Sequence, residues 1–210
     1  MKVIYGGTFD PIHHGHLRLA IELKECLGTA EIALVPCHIP PHRQSPGAGS
    51  DQRLDLLQLA VSDEPGLVVD ERELEREGAS YTADTLRQIR SEIGQDKPLA
   101  MVVGTDSFAS FDRWREWEAI PQLAHIIVVV RPGSDIPAGS AAADLMRQKA
   151  ATTVEELYAA PCGRVLVLEP PLMDISATGI RERIADGRSP RYLLPDTVWL
   201  KIRHLGLYRP

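Results

Sequence analysis

The 210-residue chain carries 23 Lys plus Arg against 29 Asp plus Glu, a formal net charge of -6, with 44% hydrophobic and 25% charged residues. That is the balance of a globular protein with a sizeable core, and an acidic total without a long basic run argues against general nucleic-acid binding. No apolar stretch approaches the roughly 18 residues of a membrane span, and the first residues lack a secretory n-region and h-region. Cys26, Cys37 and Cys162 are widely spaced and form no CxxC pair, which is neither a disulfide framework nor a cysteine zinc site. A cytoplasmic protein is expected.

Val3–Tyr5 is the first predicted strand and leads into the segment Gly6–His16. A helix follows over His16–Leu27, with Leu19, Ala20, Leu23, Cys26 and Leu27 on one stripe and Gly28 as its stop. Ile32–Val35 is the second strand. Pro36–Ser50 holds four prolines, two glycines and no helical period, and a loop of that length in a compact domain is functional or mobile. A helix at Asp51–Val61 and a strand at Leu67–Val69 precede the acidic stretch Asp70–Glu77, which reads as a solvated connection. Next come a helix at Ala83–Ile93, strands at Leu99–Val103 and Ile126–Val130, and a turn at Arg131–Ser140. A helix at Ala141–Tyr158, a strand at Val165–Leu168 and helices at Thr178–Ala185 and Asp196–His204 complete the chain. Consecutive β-branched residues suit strands buried on both faces. Their alternation with helices predicts a parallel α/β sheet covered on both sides, with ligands beyond the carboxyl ends of its strands. No internal repeat and no domain boundary is visible.

Three stretches carry candidate chemistry. Strand, glycine-rich turn and helix over Gly6-Gly7-Thr8-Phe9-Asp10-Pro11-Ile12-His13-His14-Gly15-His16 is a geometry that aims backbone N–H groups and a helix dipole at a phosphate. It is neither GxGxxG nor GxxxxGK[ST]; histidine stands in for the usual phosphate lysine. Five of the seven histidines lie between positions 13 and 42, although a single histidine such as His16 also serves as a satisfied helix cap. In Asp174-Ile175-Ser176-Ala177-Thr178-Gly179-Ile180-Arg181, Ser176 or Thr178 suits an N-cap, and Arg181, one turn on, lets hydroxyls, helix N-terminus and guanidinium converge on one anion. In Gly104-Thr105-Asp106, directly after a strand, Asp106 faces either ribose hydroxyls or the N-terminus of its own helix. Trp114 and Trp117, beside Arg113 and Arg115, are either packing residues or a stacking surface for a planar ligand.

Taken together, these residues resemble the bacterial nicotinate-nucleotide adenylyltransferases, in the nucleotidylyltransferase superfamily marked by HxGH. GGTFDPIHHGH (6–16) matches the amino-terminal signature and ISATGIR (175–181) the carboxyl-terminal one. PPHR (40–43), SYTADTLR (80–87), GTDSF (104–108), the Trp114 region and VVVRPG (128–133) fall between them in family order. The resemblance implies a single nucleotidylyltransferase domain over 1–210, with a Rossmann-like doubly wound parallel sheet and a small carboxyl-terminal helical part. It implies adenylyl transfer from ATP to nicotinate mononucleotide, giving deamido-NAD and pyrophosphate in NAD biosynthesis. Mg²⁺ would be held by phosphates and water, with no protein ligand. Gly7, Thr8 and Phe9 would line the ATP site, with His13 and His16 at the phosphates and His16 as the principal charge-stabilising donor. Gly104 and Asp106 would take the ATP ribose. Ile175 would lie near adenine, and Ser176, Thr178 and Arg181 would hold phosphates. His42, Arg43, Thr82, Trp114 and Arg131 would bind nicotinate mononucleotide. Two positions depart from the family pattern on the acceptor side. Cys37 and His38 stand where asparagine is common, and Arg115 replaces a frequent aromatic residue. Preferred use of nicotinamide mononucleotide is the alternative within this chemistry. A non-catalytic nucleotide- or metal-binding protein is the alternative outside it. Small-molecule partners are expected, without nucleic acid or membrane; the sequence leaves the oligomeric state open.

Overall fold

The computed structural model of the protein describes residues 1–39 and 46–209. Seven strands form one sheet in the order β3-β2-β1-β4-β5-β7-β6. They are β1 (Lys2–Gly7), β2 (Ile32–Pro36), β3 (Leu67–Val69), β4 (Leu99–Gly104), β5 (His125–Val129), β6 (Ala150–Ala151) and β7 (Val165–Leu168). The pairs β2·β3, β1·β4, β4·β5, β5·β7 and β6·β7 are all parallel. The helices are α1 (His14–Leu27), α2 (Ser50–Val61), α3 (Thr82–Ile93), α4 (Thr105–Phe108), α5 (Ile120–Leu123), α6 (Ala141–Lys149), α7 (Glu155–Tyr158), α8 (Ala177–Ala185) and α9 (Asp196–Leu205). This is the α/β parallel-sheet architecture that the alternating pattern predicts. No described helix is long and apolar enough to cross a membrane.

The chain divides into two compact units. One comprises Met1–Gly6, Leu27–Thr29 and Ser80–Pro170; the other comprises Gly7–Cys26, Ala30–Ala79 and Pro171–Pro210. In the first, β5 is buried along its whole length and β4 along all but its last residue, as consecutive Val and Ile positions require of strands covered on both faces. Register pairs Tyr5 with Val102, so β1 and β4 finish side by side. The numerical order of the strands reverses there, the position at which open α/β sheets bind ligands.

Two buried polar side chains stabilise this unit through the backbone. Arg90 of α3, 3% exposed, donates from Nε to Leu123 O at 2.6 Å, from Nη1 to Lys97 O at 2.6 Å and Gly94 O at 3.2 Å, and from Nη2 to Pro161 O at 2.6 Å. Four carbonyls thus replace the water lost by a buried cation. His125, fully buried, accepts the Arg164 N–H at Nδ1 (3.1 Å), which leaves Nε2–H to donate to Ala160 O at 2.9 Å. Burial pushes its pKa below the ordinary value, and the charges of Arg90 and Arg164 push the same way.

One predicted element is corrected. The helix expected over Ala141–Tyr158 breaks into α6, the short strand β6 and α7. Ala150 leaves helical geometry at φ -48, ψ 133, and Ala150 and Ala151 pair with Val165 and Leu166. The Glu156 carboxylate accepts Thr152 N–H and Oγ1–H at 2.9 and 3.0 Å. Edge pairing and this local side-chain bond outcompete continuation of the helix through the β-branched Thr152-Thr153-Val154.

In the second unit, α1 begins at His14 rather than His16. It buries Leu17 and, of the expected stripe, Leu19, Ala20, Leu23 and Leu27, while Cys26 lies exposed on the flank. The helix α2 buries Leu56, Leu57 and Val61 and packs against α9, which buries Val198 and Ile202. Lys201 of α9 also pairs with Asp55 at 2.9 Å. The acidic stretch 70–77 is an irregular connection without a buried residue, braced by an Asp70–Arg72 pair at 2.7 Å and by Gln58, which donates to Glu71 at 2.7 Å.

Candidate active site

The chain leaves β1 at Gly7 and turns immediately. Phe9 takes a left-handed backbone (φ 49) and buries its ring. A Cβ on Gly7 would lie 2.8 Å from that ring, so the turn requires glycine there. The Phe9 edge meets the His16 imidazole at 5.1 Å between centroids, and His16 stacks on His13 at 3.7 Å. His13 O accepts the N–H groups of His16 and Leu17 in the first turn of α1, which holds both rings at the positive end of the helix dipole. A Cβ on Gly15 would lie 3.1 Å from the His13 ring and 3.4 Å from Ile175 O. The glycine of HxGH therefore leaves room for the His13 ring, with Ile175 O at van der Waals distance.

That segment opens α8. The Ser176 hydroxyl is the N-cap, accepting Gly179 N–H at 3.1 Å. Thr178 Oγ1 accepts from Arg181 Nη2 at 3.2 Å. Arg181 Nη1 donates to Asp10 O at 2.7 Å and lies 3.6 Å from Asp10 Oδ2. The second unit thus brings together Gly7, Thr8, Phe9, His13, His16, Ile175, Ser176, Thr178 and Arg181, along with two residues that pattern reading missed. Asp10, 5% exposed, is one. The other is Arg53, fully buried on α2, which donates to Thr8 O at 2.7 Å, His38 O at 3.0 Å and Ser50 Oγ at 3.2 Å. Arg53 clamps the glycine-rich turn by its backbone. A lone arginine on a helix gives no sequence signal of that role.

The first unit gathers a separate set at the end of β4. A Cβ on Gly104 would lie 2.5 Å from Asp106 Oδ1 and 2.6 Å from Arg131 Nε. Arg131 donates its backbone N–H to Thr105 Oγ1 at 3.0 Å and pairs with Asp106 at 3.4 Å. Asp106 sits in the first turn of α4, whose N-cap is Gly104. Tyr5, absent from the sequence-based candidates, joins this group; burial pushes its phenol up to about 12, with Arg131 opposing and Asp106 reinforcing the shift. Trp114 and Trp117, both half-buried, pack on the buried Phe111 at 5.4 and 6.0 Å between centroids, a packing contact at the edge of the core. Thr82 opens α3 beside Tyr81, whose ring carries the Arg115 guanidinium at 4.6 Å. His42 and Arg43 lie outside the described residues.

Known proteins resemble this chain in sequence and in fold. A cytidylyltransferase-like family model matches residues 4–183. A protein of Marinobacter nauticus named "Probable nicotinate-nucleotide adenylyltransferase" is 64% identical over 208 residues, covering 99% of this chain and 96% of the relative. One of the same name from Cellvibrio japonicus is 49% identical over 206 residues, covering 98% and 97%. The solved Plasmodium falciparum nicotinic acid mononucleotide adenylyltransferase complexed with NaAD shares the fold at a TM-score of 0.74 and 16% identity, covering 99% of this chain and 98% of that one. At 64% identity along nearly its whole length, the chain belongs to the nicotinate-nucleotide adenylyltransferase family of nucleotidyltransferases.

Proposed function

We propose that the protein transfers the adenylyl group of ATP to nicotinate mononucleotide, giving nicotinate adenine dinucleotide and pyrophosphate in NAD biosynthesis. The near-full-length identity to relatives of that name carries the reading, and the stacked His13 and His16 at the head of α1 are its structural counterpart. A phosphate oxygen of the mononucleotide bonds to the α-phosphorus of ATP as the bond to the β-phosphate bridging oxygen breaks. Such a transfer needs alignment and charge neutralisation and no protein nucleophile.

His16 donates to an α-phosphate oxygen as charge builds there. His13, Ser176, Thr178 and Arg181 hold the other phosphates, and the Gly7–Phe9 turn and Ile175 bind the rest of ATP, with adenine near Ile175. Gly104 and Asp106 take its ribose. Thr82, Trp114 and Arg131, with His42 and Arg43, bind the pyridine nucleotide. Mg²⁺ arrives with ATP as part of the substrate. The donor set of the HxGH and ISATGIR cluster fits this: imidazoles, hydroxyls and a guanidinium favour phosphate over a hard cation. Among the described residues there is no group of three or more His, Cys, Asp or Glu side chains able to hold a metal. Residues 1–210 act as one nucleotidylyltransferase domain in this reading, supported by a family match that runs from residue 4 to 183. Cys26, Cys37 and Cys162 are thiols, which fits the cytoplasm.

The test is pyrophosphate release from ATP and Mg²⁺ with nicotinate mononucleotide and nicotinamide mononucleotide in parallel. Release that is at least about tenfold faster with the acid is expected, a difference of about 1.4 kcal/mol. Equal rates would retain adenylyl transfer and overturn the acceptor, and no release with either would overturn the reaction.

A further inference from the structure

Three stretches far apart in sequence meet on one carboxylate in the second unit. Asp10 Oδ2 accepts Gly47 N–H at 2.8 Å and lies 3.6 Å from Arg181 Nη1. Asp10 Oδ1 accepts Ala48 N–H at 3.1 Å and the Tyr208 hydroxyl at 2.8 Å. The same residue's carbonyl takes Arg181 Nη1 at 2.7 Å. With Nη2 also donating to Thr178, the plane of the guanidinium is set. Its Nε–H and a second Nη2 hydrogen lie outside these bonds, as donors for a phosphate.

Tyr208 comes to this position along an unfavourable backbone. It has φ 63, two residues after Gly206 ends α9 at φ 64. A bulky non-glycine residue holds that conformation only where its surroundings over-determine it. Here the surroundings are the Asp10 bond and the Gly47 backbone. A Cβ on Gly47 would lie 3.1 Å from the Tyr208 ring and 3.3 Å from Arg181 Cδ, so Gly47 is wedged between the two side chains. Burial, followed by the Asp10 charge, pushes the Tyr208 phenol upward, which keeps the hydroxyl protonated and donating. No motif in the sequence points to Tyr208, and the roles assigned above do not use Asp10.

We propose that Asp10 and Tyr208 are positioning residues for Arg181: the tyrosine hydroxyl fixes the carboxylate, and the carboxylate fixes the guanidinium that meets the ATP phosphates. This rests on the assignment of Arg181 to ATP. The C-terminal tyrosine then tunes ATP affinity through Arg181, while the same carboxylate pins the 46–49 backbone.

The experiment compares Y208F, R181K and the double variant by ATP affinity in calorimetry and by KM for each substrate. Loss of a hydrogen bond to a charged group predicts ATP binding about five- to tenfold weaker in Y208F, with kcat and the acceptor KM within about twofold. In the R181K background, Y208F should add little, because the two act in series. A purely structural tyrosine would lower the melting temperature without separating the two substrates. Unchanged ATP affinity in Y208F, or its full effect retained in R181K, overturns the positioning role. R181K with normal ATP affinity overturns the assignment of Arg181, and the proposal with it. Should Y208F not fold, D10N carries the same measurements and the same criteria.

Discussion

At residue scale, His16 is the side chain whose removal should separate chemistry from stability. It is half-buried, stacked on His13 and edge-on to Phe9, rather than packed in the apolar core. H16A is expected to lower kcat about 10²- to 10³-fold, the loss seen for one donor to a developing charge. The folded state should lose less than about 2 kcal/mol; steady-state kinetics and urea unfolding on the same preparation check both. Trp114 is the opposite case, since its visible contact is packing on Phe111 and its ligand role is inferred. If the pyridine ring stacks on it, W114A raises the KM for nicotinate mononucleotide severalfold and spares that for ATP. Equal effects on both substrates would mean that packing is its whole contribution. Gly7, Gly15 and Gly104 are legible as motif glycines. The reason for each appears only from what a Cβ would crowd: the Phe9 ring, the His13 ring and the Asp106–Arg131 ion pair.

Elements show where local pattern suffices. The expected strands at 3–5, 32–35, 67–69, 99–103 and 165–168 all lie inside observed ones, and that at 126–130 is offset by one residue from β5. Apolar β-branched runs bounded by turns have few alternatives. The helix expected at 141–158 fails because β6 draws its stability from β7, a partner that pattern along the chain does not reveal. Arg90 illustrates the same limit within a helix whose existence was legible. Position 90 falls on the buried face of α3, where a charged residue contradicts the pattern until its four carbonyl partners are seen. R90M leaves those acceptors without their donor and should destabilise the protein by about 3 to 5 kcal/mol. The urea midpoint measures it, and activity per folded molecule should survive.

For the molecule as a whole, His125 supplies a pH dependence of folding. Its folded-state pKa lies below the ordinary 6.5, so over that window the unfolded chain binds the proton more readily. Its contribution to stability is complete above about pH 6.5 and is lost as pH falls below that value. The urea midpoint should drop between about pH 7 and pH 5, and the slope should flatten in H125N. The difference between the two proteins is the informative quantity.

The sequence by itself determined the alternation of strands and helices, the turn at the head of α1, a hydroxyl cap at Ser176 or Thr178, and the family. These follow from local steric rules, short hydrogen-bonding motifs and contiguous signatures. Only the tertiary structure decided that Asp10, Arg181 and Tyr208 form one network, that Arg53 clamps the glycine-rich turn, that Tyr5 joins Asp106 and Arg131, and that Cys26 stays at the surface. Their partners lie as many as 198 positions away. Desolvation of buried charge and hydroxyl groups selects such partners, and that term exists only once the chain has closed around them.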